Sequence, residues 1–220
     1  MWKKWSCQVP KGYCRSNKYV HRTTKMKIVI IDYGAGNIQS IKFAFQRLGY
    51  EAILSKDAEE IMAADKVIFP GVGEASSAMK KLRESKLDGV IPKLNQPVLG
   101  ICLGMQLMCN SSEEGSTQGL GIFDVEVVKF SKEVKVPQIG WNQITNLKSG
   151  LFKNVKEKEH VYLVHSFYAP LCGETIAEAE YGLGYSAALK KDNFYGTQFH
   201  PEKSSEVGER ILENFLEIGN

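Results

Sequence analysis

From residue 26 onward, unbroken apolar runs alternate with segments whose apolar positions recur every three or four residues. The first run, KIVIID at 27–32, is continuous and β-branched, as expected of a strand buried on both faces of a parallel sheet. Gly34 and Gly36 break it. Residues 37–48 then place Ile38, Ile41, Phe45 and Leu48 on one helical face, and Gly49 closes that helix. A strand at 52–55 leads to a short helix in which Asp57 and Glu60 suit a capping box. A strand at 66–69 ends in Pro70-Gly71-Val72-Gly73 and precedes a helix over 74–87. A strand at 97–101 precedes a helix over 103–110. This alternation predicts an α/β protein with a doubly wound, mainly parallel, flavodoxin-like central sheet.

Beyond Gly115 the period shortens to two. Residues 123–130, 143–147, 161–167, 175–181 and 185–200, the last folded at 190–193, read as strands in hairpins. They predict an antiparallel portion added to the sheet in the C-terminal half. A closing helix over 205–218 carries Val207, Ile211 and Phe215 on one face.

Residues 1–25 have no such pattern, and they set the charge balance. They hold seven of the 28 Lys and Arg and none of the 25 Asp and Glu, so the net +3 of the chain becomes −4 over residues 26–220. The body therefore has no electrostatic footprint for nucleic acid. The head lacks the apolar stretch of a secretory signal or membrane span, and its sparse serine argues against a transit peptide. It reads as a disordered basic extension before one domain at 26–220. Five cysteines form no CxxC pair and leave an odd count, which points to a reducing, cytoplasmic setting rather than a disulfide scaffold or zinc site.

In open α/β sheets, sites form beyond the carboxyl ends of the strands. Three unusual stretches fall at such ends. The first is Gly100-Ile101-Cys102-Leu103-Gly104, with the pattern of a nucleophile elbow and a helix start that favours a thiolate. A thiol ending an apolar run also serves as inert core, and the paired glycines leave both roles open. Cys109 lacks the glycines and reads as core. The second is His200-Pro201-Glu202, where a carboxylate close to an imidazole would set its tautomer as a base requires. The third is the Pro-Gly-Val-Gly turn, whose Val72 or Gly73 N–H would join that of Leu103 as an oxyanion hole. Gly34-Ala35-Gly36 followed by Gln39 fails the GxGxxG fingerprint, and no GxxxxGK[ST] loop occurs. His160 and His165 lie five apart on a strand, hence on opposite faces, so they do not share a metal.

Taken together and in this order, these stretches resemble the class I glutamine amidotransferases over about residues 27–216. IDYGAGN (31–37), FPGVG (69–73), LGICLGMQLM (99–108), SSEEG (111–115), IGWN (139–142), VHSFY (164–168) and GTQFHPEKSS (196–205) are similar to the glutaminase subunits of imidazole glycerol phosphate synthase. The resemblance implies that Cys102 is the nucleophile, His200 the acid and base, and Glu202 its orienter. It assigns glutamine binding to Gly73, Gln106, Glu114 and the backbone of Ser166 and Phe167. It implies no cofactor and no metal. It also implies a heterodimer with a (β/α)8 barrel cyclase, with Asn37, Trp141, Asn142 and Lys203 at or near the interface. In place of the Pro-His that many members carry before GWN, this chain has Pro137-Gln138, which cannot titrate. The expected activity is release of ammonia from glutamine for the cyclase reaction of histidine biosynthesis. A paralogue feeding a surface-sugar pathway, a noncatalytic binding module and a cysteine hydrolase on the same sheet are the competing readings.

Overall fold

The structure, a computed structural model, describes residues 26–34 and 36–219. The disorder expected of residues 1–25 lies outside the described residues. The chain alternates as the apolar runs dictate: β1 (Ile28–Ile31), α1 (Ile38–Arg47), β2 (Ala52–Ser55), α2 (Ala58–Met62), β3 (Lys66–Phe69), α3 (Ala75–Glu84), β4 (Val98–Ile101) and α4 (Leu103–Leu107). There follow β5 (Cys109–Ser112), β6 (Thr117–Gln118), β7 (Phe123–Lys129), β8 (Gln138–Gln143), β9 (His160–His165), β10 (Phe167–Tyr168), β11 (Thr175–Glu180), β12 (Gly184–Lys191), β13 (Phe194–Thr197) and α5 (Ser205–Glu217).

Seven strands form the central sheet in the order β11-β12-β13-β4-β3-β1-β2. Neighbours from β13 to β2 pair in parallel, and β11-β12-β13 are antiparallel. β1, β3, β4 and β13 are buried along their whole length because helices cover both faces. Ile41, Phe45, Ile211 and Phe215 of α1 and α5 fill one face. Ile61, Met79, Leu82 and Met105 of α2, α3 and α4 fill the other. α5 is anchored to the sheet by the buried Lys66 ammonium, which donates to the Ile218 carbonyl.

Three expectations need correction. The helix after Cys102 spans only Leu103–Leu107, and Cys109–Ser112 pairs in parallel with β7 as a strand. Asn110, Ser111 and Ser112 are poor helix formers, and the Met108 carbonyl accepts from Ile122 and Phe123 N–H, which draws the chain out of the helix. The strand expected at 143–147 lies instead at Gln138–Gln143, with Thr145 making only a bridge to Glu178. The antiparallel portion expected in the sheet is β11-β12-β13, and after β4 the chain also adds strands outside that sheet. β10-β7-β5-β6 form a second, mixed sheet and β8-β9 a separate two-stranded ribbon. Finally, Asp57 caps α2 by accepting from Glu60 N–H at 2.9 Å, but Asp57 N–H goes to Ser55 Oγ, so the capping box is one-sided.

Candidate active site

The parallel register brings the distant motifs together. Ile101 pairs with Thr197 and Gly100 with Phe69, so Cys102 leaves the sheet between Gln198 on one side and the Pro70-Gly71 turn on the other. Cys102 N–H still donates to Thr197 O at 2.7 Å. At that point the backbone turns sharply, with Cys102 at φ 54° and ψ −111°, in a region non-glycine residues seldom occupy. The strain sits on the cysteine itself, and neither flanking glycine has positive φ. The glycines permit close approach instead. A Cβ on Gly104 would lie 2.0 Å from the Phe69 carbonyl oxygen, and one on Gly71 2.5 Å from Gly104 N. The nucleophile elbow and the Pro-Gly-Val-Gly turn are thus packed backbone to backbone.

His200 stands across from this elbow. Its N–H donates to Tyr162 O at 2.9 Å and its carbonyl accepts from Ser204 Oγ at 2.7 Å, so the ribbon and the start of α5 fix its backbone. Pro201–Lys203 forms one 3-10 turn, which folds Glu202 back so that its Oε1 lies 2.9 Å from His200 Nδ1. Nδ1–H donates to the carboxylate, leaving Nε2 for the thiol. Burial alone disfavours the imidazolium; the hydrogen-bonded Cys102 and Glu202 side chains outweigh it and raise the His200 pKa to about 10. Cys102 Sγ meets the Val164 carbonyl at 3.7 Å and receives Gln198 Nε2–H at 3.8 Å.

The cleft beside the thiol has a volume of about 340 Å³, and Val72, Gly73, Leu103, Gln106, Glu114, Ser166, Phe167 and Lys203 line it with Cys102 and His200. Glu202 lies behind His200, buried. Gln106 is held by two bonds, its amide donating to Phe167 O at 2.9 Å and to Gln198 Oε1 at 2.8 Å. Both amide protons are therefore committed, and Gln106 offers a ligand only its carbonyl oxygen. Glu114 Oε2 accepts from Ala75 N–H at 2.8 Å, so this carboxylate caps α3 from another segment. Burial raises the Glu114 pKa, against the Ala75 N–H that lowers it. Trp141 lies outside the cleft on the exposed face of the ribbon, where it meets the Tyr162 ring edge-on at 6.0 Å, and Lys203 Nζ sits over the Tyr162 ring, 5.9 Å from its centroid. Asn37 is the half-buried N-cap of α1. Asn142 is tied into the fold, donating to Glu180 O at 2.8 Å.

Sequence reasoning missed three neighbours of the thiol. Gln198 is fully buried and bonds both Gln106 and Cys102. Pro137 and His165 also line the cleft. His165 Nδ1–H donates to Phe167 O at 2.8 Å, while its Nε2 is buried and has no hydrogen-bond partner among the described residues. Burial lowers its pKa to about 4, and the neighbouring His200 adds to this. Gln198 was within reach of a register argument, since it stands opposite Cys102 once β13 is paired with β4. Cys109 is buried core, as expected, its thiol pKa pushed up by that burial. Among the described residues there is no cluster of three or more potential metal ligands, and no helix is long and apolar enough to cross a membrane.

A thiol, an imidazole and a carboxylate meeting at the carboxyl edge of a doubly wound sheet narrow the chain to one class: it belongs to the class I glutamine amidotransferase family, which it matches over residues 29–218. Its fold is shared with a glutamine amidotransferase crystal structure (TM-score 0.68, 19% identity, 86% of this chain and 97% of the other). PurLQS of Thermotoga maritima is similar as well (TM-score 0.67, 15% identity, 87% and 98%). Sequence likeness is narrower. The chain is 58% identical over 196 residues to imidazole glycerol phosphate synthase subunit HisH of Bacteroides fragilis, covering 88% of this chain and 100% of that one. It is 47% identical over 197 residues to the subunit of the same name in Pectobacterium atrosepticum, with the same coverage.

Proposed function

We propose that this chain is the glutaminase subunit of an imidazole glycerol phosphate synthase, hydrolysing glutamine to glutamate and supplying the ammonia to a (β/α)8 cyclase partner in histidine biosynthesis. The observation that carries the reading is His200 held between Glu202 and Cys102 beside a cleft of amino-acid size. The names of the relatives favour this acceptor over one in a surface-sugar pathway.

Glutamine lies with its side-chain amide at Cys102. Its α-ammonium meets the Glu114 carboxylate and the Gln106 carbonyl oxygen, and its α-carboxylate meets backbone N–H groups at Ser166 and Phe167. The Cys102 thiolate adds to the amide carbon, and the carbonyl oxygen becomes an anion. The Leu103 N–H and that of Val72 or Gly73 stabilise it; one such donor is worth about 3 kcal/mol of barrier. The His200 imidazolium gives its proton to the nitrogen, the C–N bond breaks, and ammonia leaves a thioester. Neutral His200 then takes a proton from water as the water adds to the thioester; the C–S bond breaks, the product leaves as glutamate with its acid proton passing to solvent, and the Cys102 thiolate beside the His200 imidazolium is restored. Glu202 holds the ring through both transfers.

The partner surface is the outer face of the β8-β9 ribbon. Ile139 is 63% exposed, Trp141 54% and Val164 36%, so large apolar side chains face outward directly over the nucleophile. Val164 belongs to both sites, since its carbonyl faces Cys102 Sγ while its side chain faces out. Trp141 and Lys203 belong to this surface, and Asn37 and Asn142 would flank it.

Glutamate release, measured with and without the cyclase partner, tests the reading. Wild type is expected to turn over glutamine slowly alone and faster in the complex. Cys102→Ala is expected to lose at least about four orders of magnitude, as loss of a nucleophile does in related triads. Hydrolysis that survives Cys102→Ala in the complex overturns the mechanism.

A further inference from the structure

The Pro-Gly-Val-Gly turn is held unequally along its length. Its first half is fixed from several directions. Tyr33, in the turn after β1, is buried, sets its ring edge-on to Phe69 at 5.6 Å, and donates its hydroxyl to the Pro70 carbonyl at 2.8 Å. Proline has no N–H, so this carbonyl is the one backbone hydrogen-bonding group Pro70 has to be held by. Gly36 packs against the ring of Pro70, where an added Cβ would lie 3.0 Å from Pro70 Cβ, and Gly71 lies against Gly104 as described above. The second half has no such packing. Val72 is 42% exposed, and Gly73, at φ +95°, has no heavy atom within 4 Å of where a Cβ would be. The boundary between held and free backbone falls between Gly71 and Val72.

We infer that Tyr33 is a positioning residue for the hydrolysis proposed above: by fixing the Pro70 carbonyl, its hydroxyl confines backbone rotation to Val72–Gly73, so that the N–H of this segment arrives in register with the oxyanion. The inference rests on the glutaminase reading of the site. With the carbonyl released, the Pro70–Gly71 peptide shares the rotation, and the donor samples orientations that miss the developing charge. Burial, with the Cys102 charge adding to it, holds the Tyr33 phenol above its ordinary pKa, so the hydroxyl keeps the proton it donates. The Tyr33 turn is itself anchored to the helix that follows the loop, because exposed Lys81 donates to Gly34 O at 2.7 Å. Tyr33 and Lys81 thus bracket the free segment from its two ends.

The test is Tyr33→Phe in the complex with the cyclase partner, which keeps the ring and removes the hydroxyl. Since a whole oxyanion donor is worth about 10²–10³ in kcat, its mispositioning is expected to lower kcat for glutamine about tenfold, with KM within about twofold of wild type. Alkylation of Cys102 by iodoacetamide forms no oxyanion and is expected to keep its wild-type rate. Lys81→Met, on the surface, is expected to lower kcat about two- to threefold in the same pattern. Unchanged kcat in Tyr33→Phe, a raised KM at constant kcat, or alkylation slowed as much as hydrolysis overturns the inference. Should Tyr33→Phe fail to fold by thermal melting, Lys81→Met decides it, and unchanged kcat there overturns it. Wild-type complex that releases no glutamate fails the glutaminase reading itself, an outcome separate from any difference between variant and parent.

Discussion

The two sides of the cleft are built in opposite ways. The floor, made of β3, β4 and β13 with the elbow at Cys102, belongs to the central sheet. Its strands are buried throughout, and its turns pack so closely that glycine is required at Gly71 and Gly104. The wall is the β8-β9 ribbon, two strands whose inner face buries Gln138, Val161, Leu163 and His165 and whose outer face exposes Ile139, Trp141 and Val164. In β8 the usual alternation is reversed: Gln138 points in and accepts from Tyr185 OH at 3.0 Å, while the apolar residues point out. Such a strand leaves an exposed apolar patch, the kind of surface that marks an interaction site, and it is the face assigned above to the proposed partner. The triad rises from the floor but is tied to the wall, since His200 N–H donates to Tyr162 O of β9, and on the reading proposed above the wall is where a partner's binding energy reaches the nucleophile.

Disturbing each side separately sharpens that contrast. Glu202→Gln breaks the floor with the largest effect: the His200 ring loses its orienting carboxylate, and glutaminase kcat in the complex is expected to fall about 10³-fold, with partner affinity unchanged by titration calorimetry. Next is the inner face of the wall. His165 titrates near 6.5 when unfolded and at about 4 when folded, so the unfolded chain binds the proton first as pH falls. Its contribution is intact above pH 6.5 and is lost as pH drops toward 4, a difference of about 3 kcal/mol. Urea unfolding at pH 7.5 and 4.5 is expected to show a smaller acid loss in His165→Gln than in wild type; equal losses would refute the assignment. The outer face gives the smallest effect. Trp141→Ala is expected to weaken partner binding by about 2 kcal/mol, roughly 30-fold, and to leave the slow glutaminase activity of the isolated chain within twofold. A comparable drop in that basal activity would mean that wall and floor are not separable.

The same contrast explains how much was legible in the sequence. β1, β3 and β4 are sandwiched between helices, so each reads as an unbroken apolar run, and the helices between them show their buried stripe, as Ile41 and Phe45 do in α1. Cys102, His200 and Glu202 stood out because glycines and a proline mark sharp turns at strand ends. β8 escapes period-two reasoning, which takes apolar positions as inward, because its apolar residues face away from the core. The helix after Cys102 is shorter than its pattern suggests because Leu107, Met108 and Cys109 continue an apolar run that turns, at the Met108 carbonyl, into the pairing with β7. The glycines flanking Cys102 mark the elbow in the sequence, while what they do there is settled by tertiary packing. They admit the neighbouring backbone, and the strained dihedrals belong to the cysteine.

By itself the sequence determined the parallel α/β class and the glycine- and proline-marked turns that carry Cys102, His200 and Glu202, because these follow from local periodicity and from the conformational limits of glycine and proline. Only the tertiary structure decided that they meet. Cys102 and His200 are ninety-eight positions apart. They become neighbours because β13, after two antiparallel strands, enters the sheet parallel to β4 in the register that sets Thr197 beside Ile101. Strand pairing is a contest among long-range alternatives that no local window contains, and its outcome also placed Gln198 against the thiol, His165 in the wall of the cleft and the Tyr33 hydroxyl on Pro70.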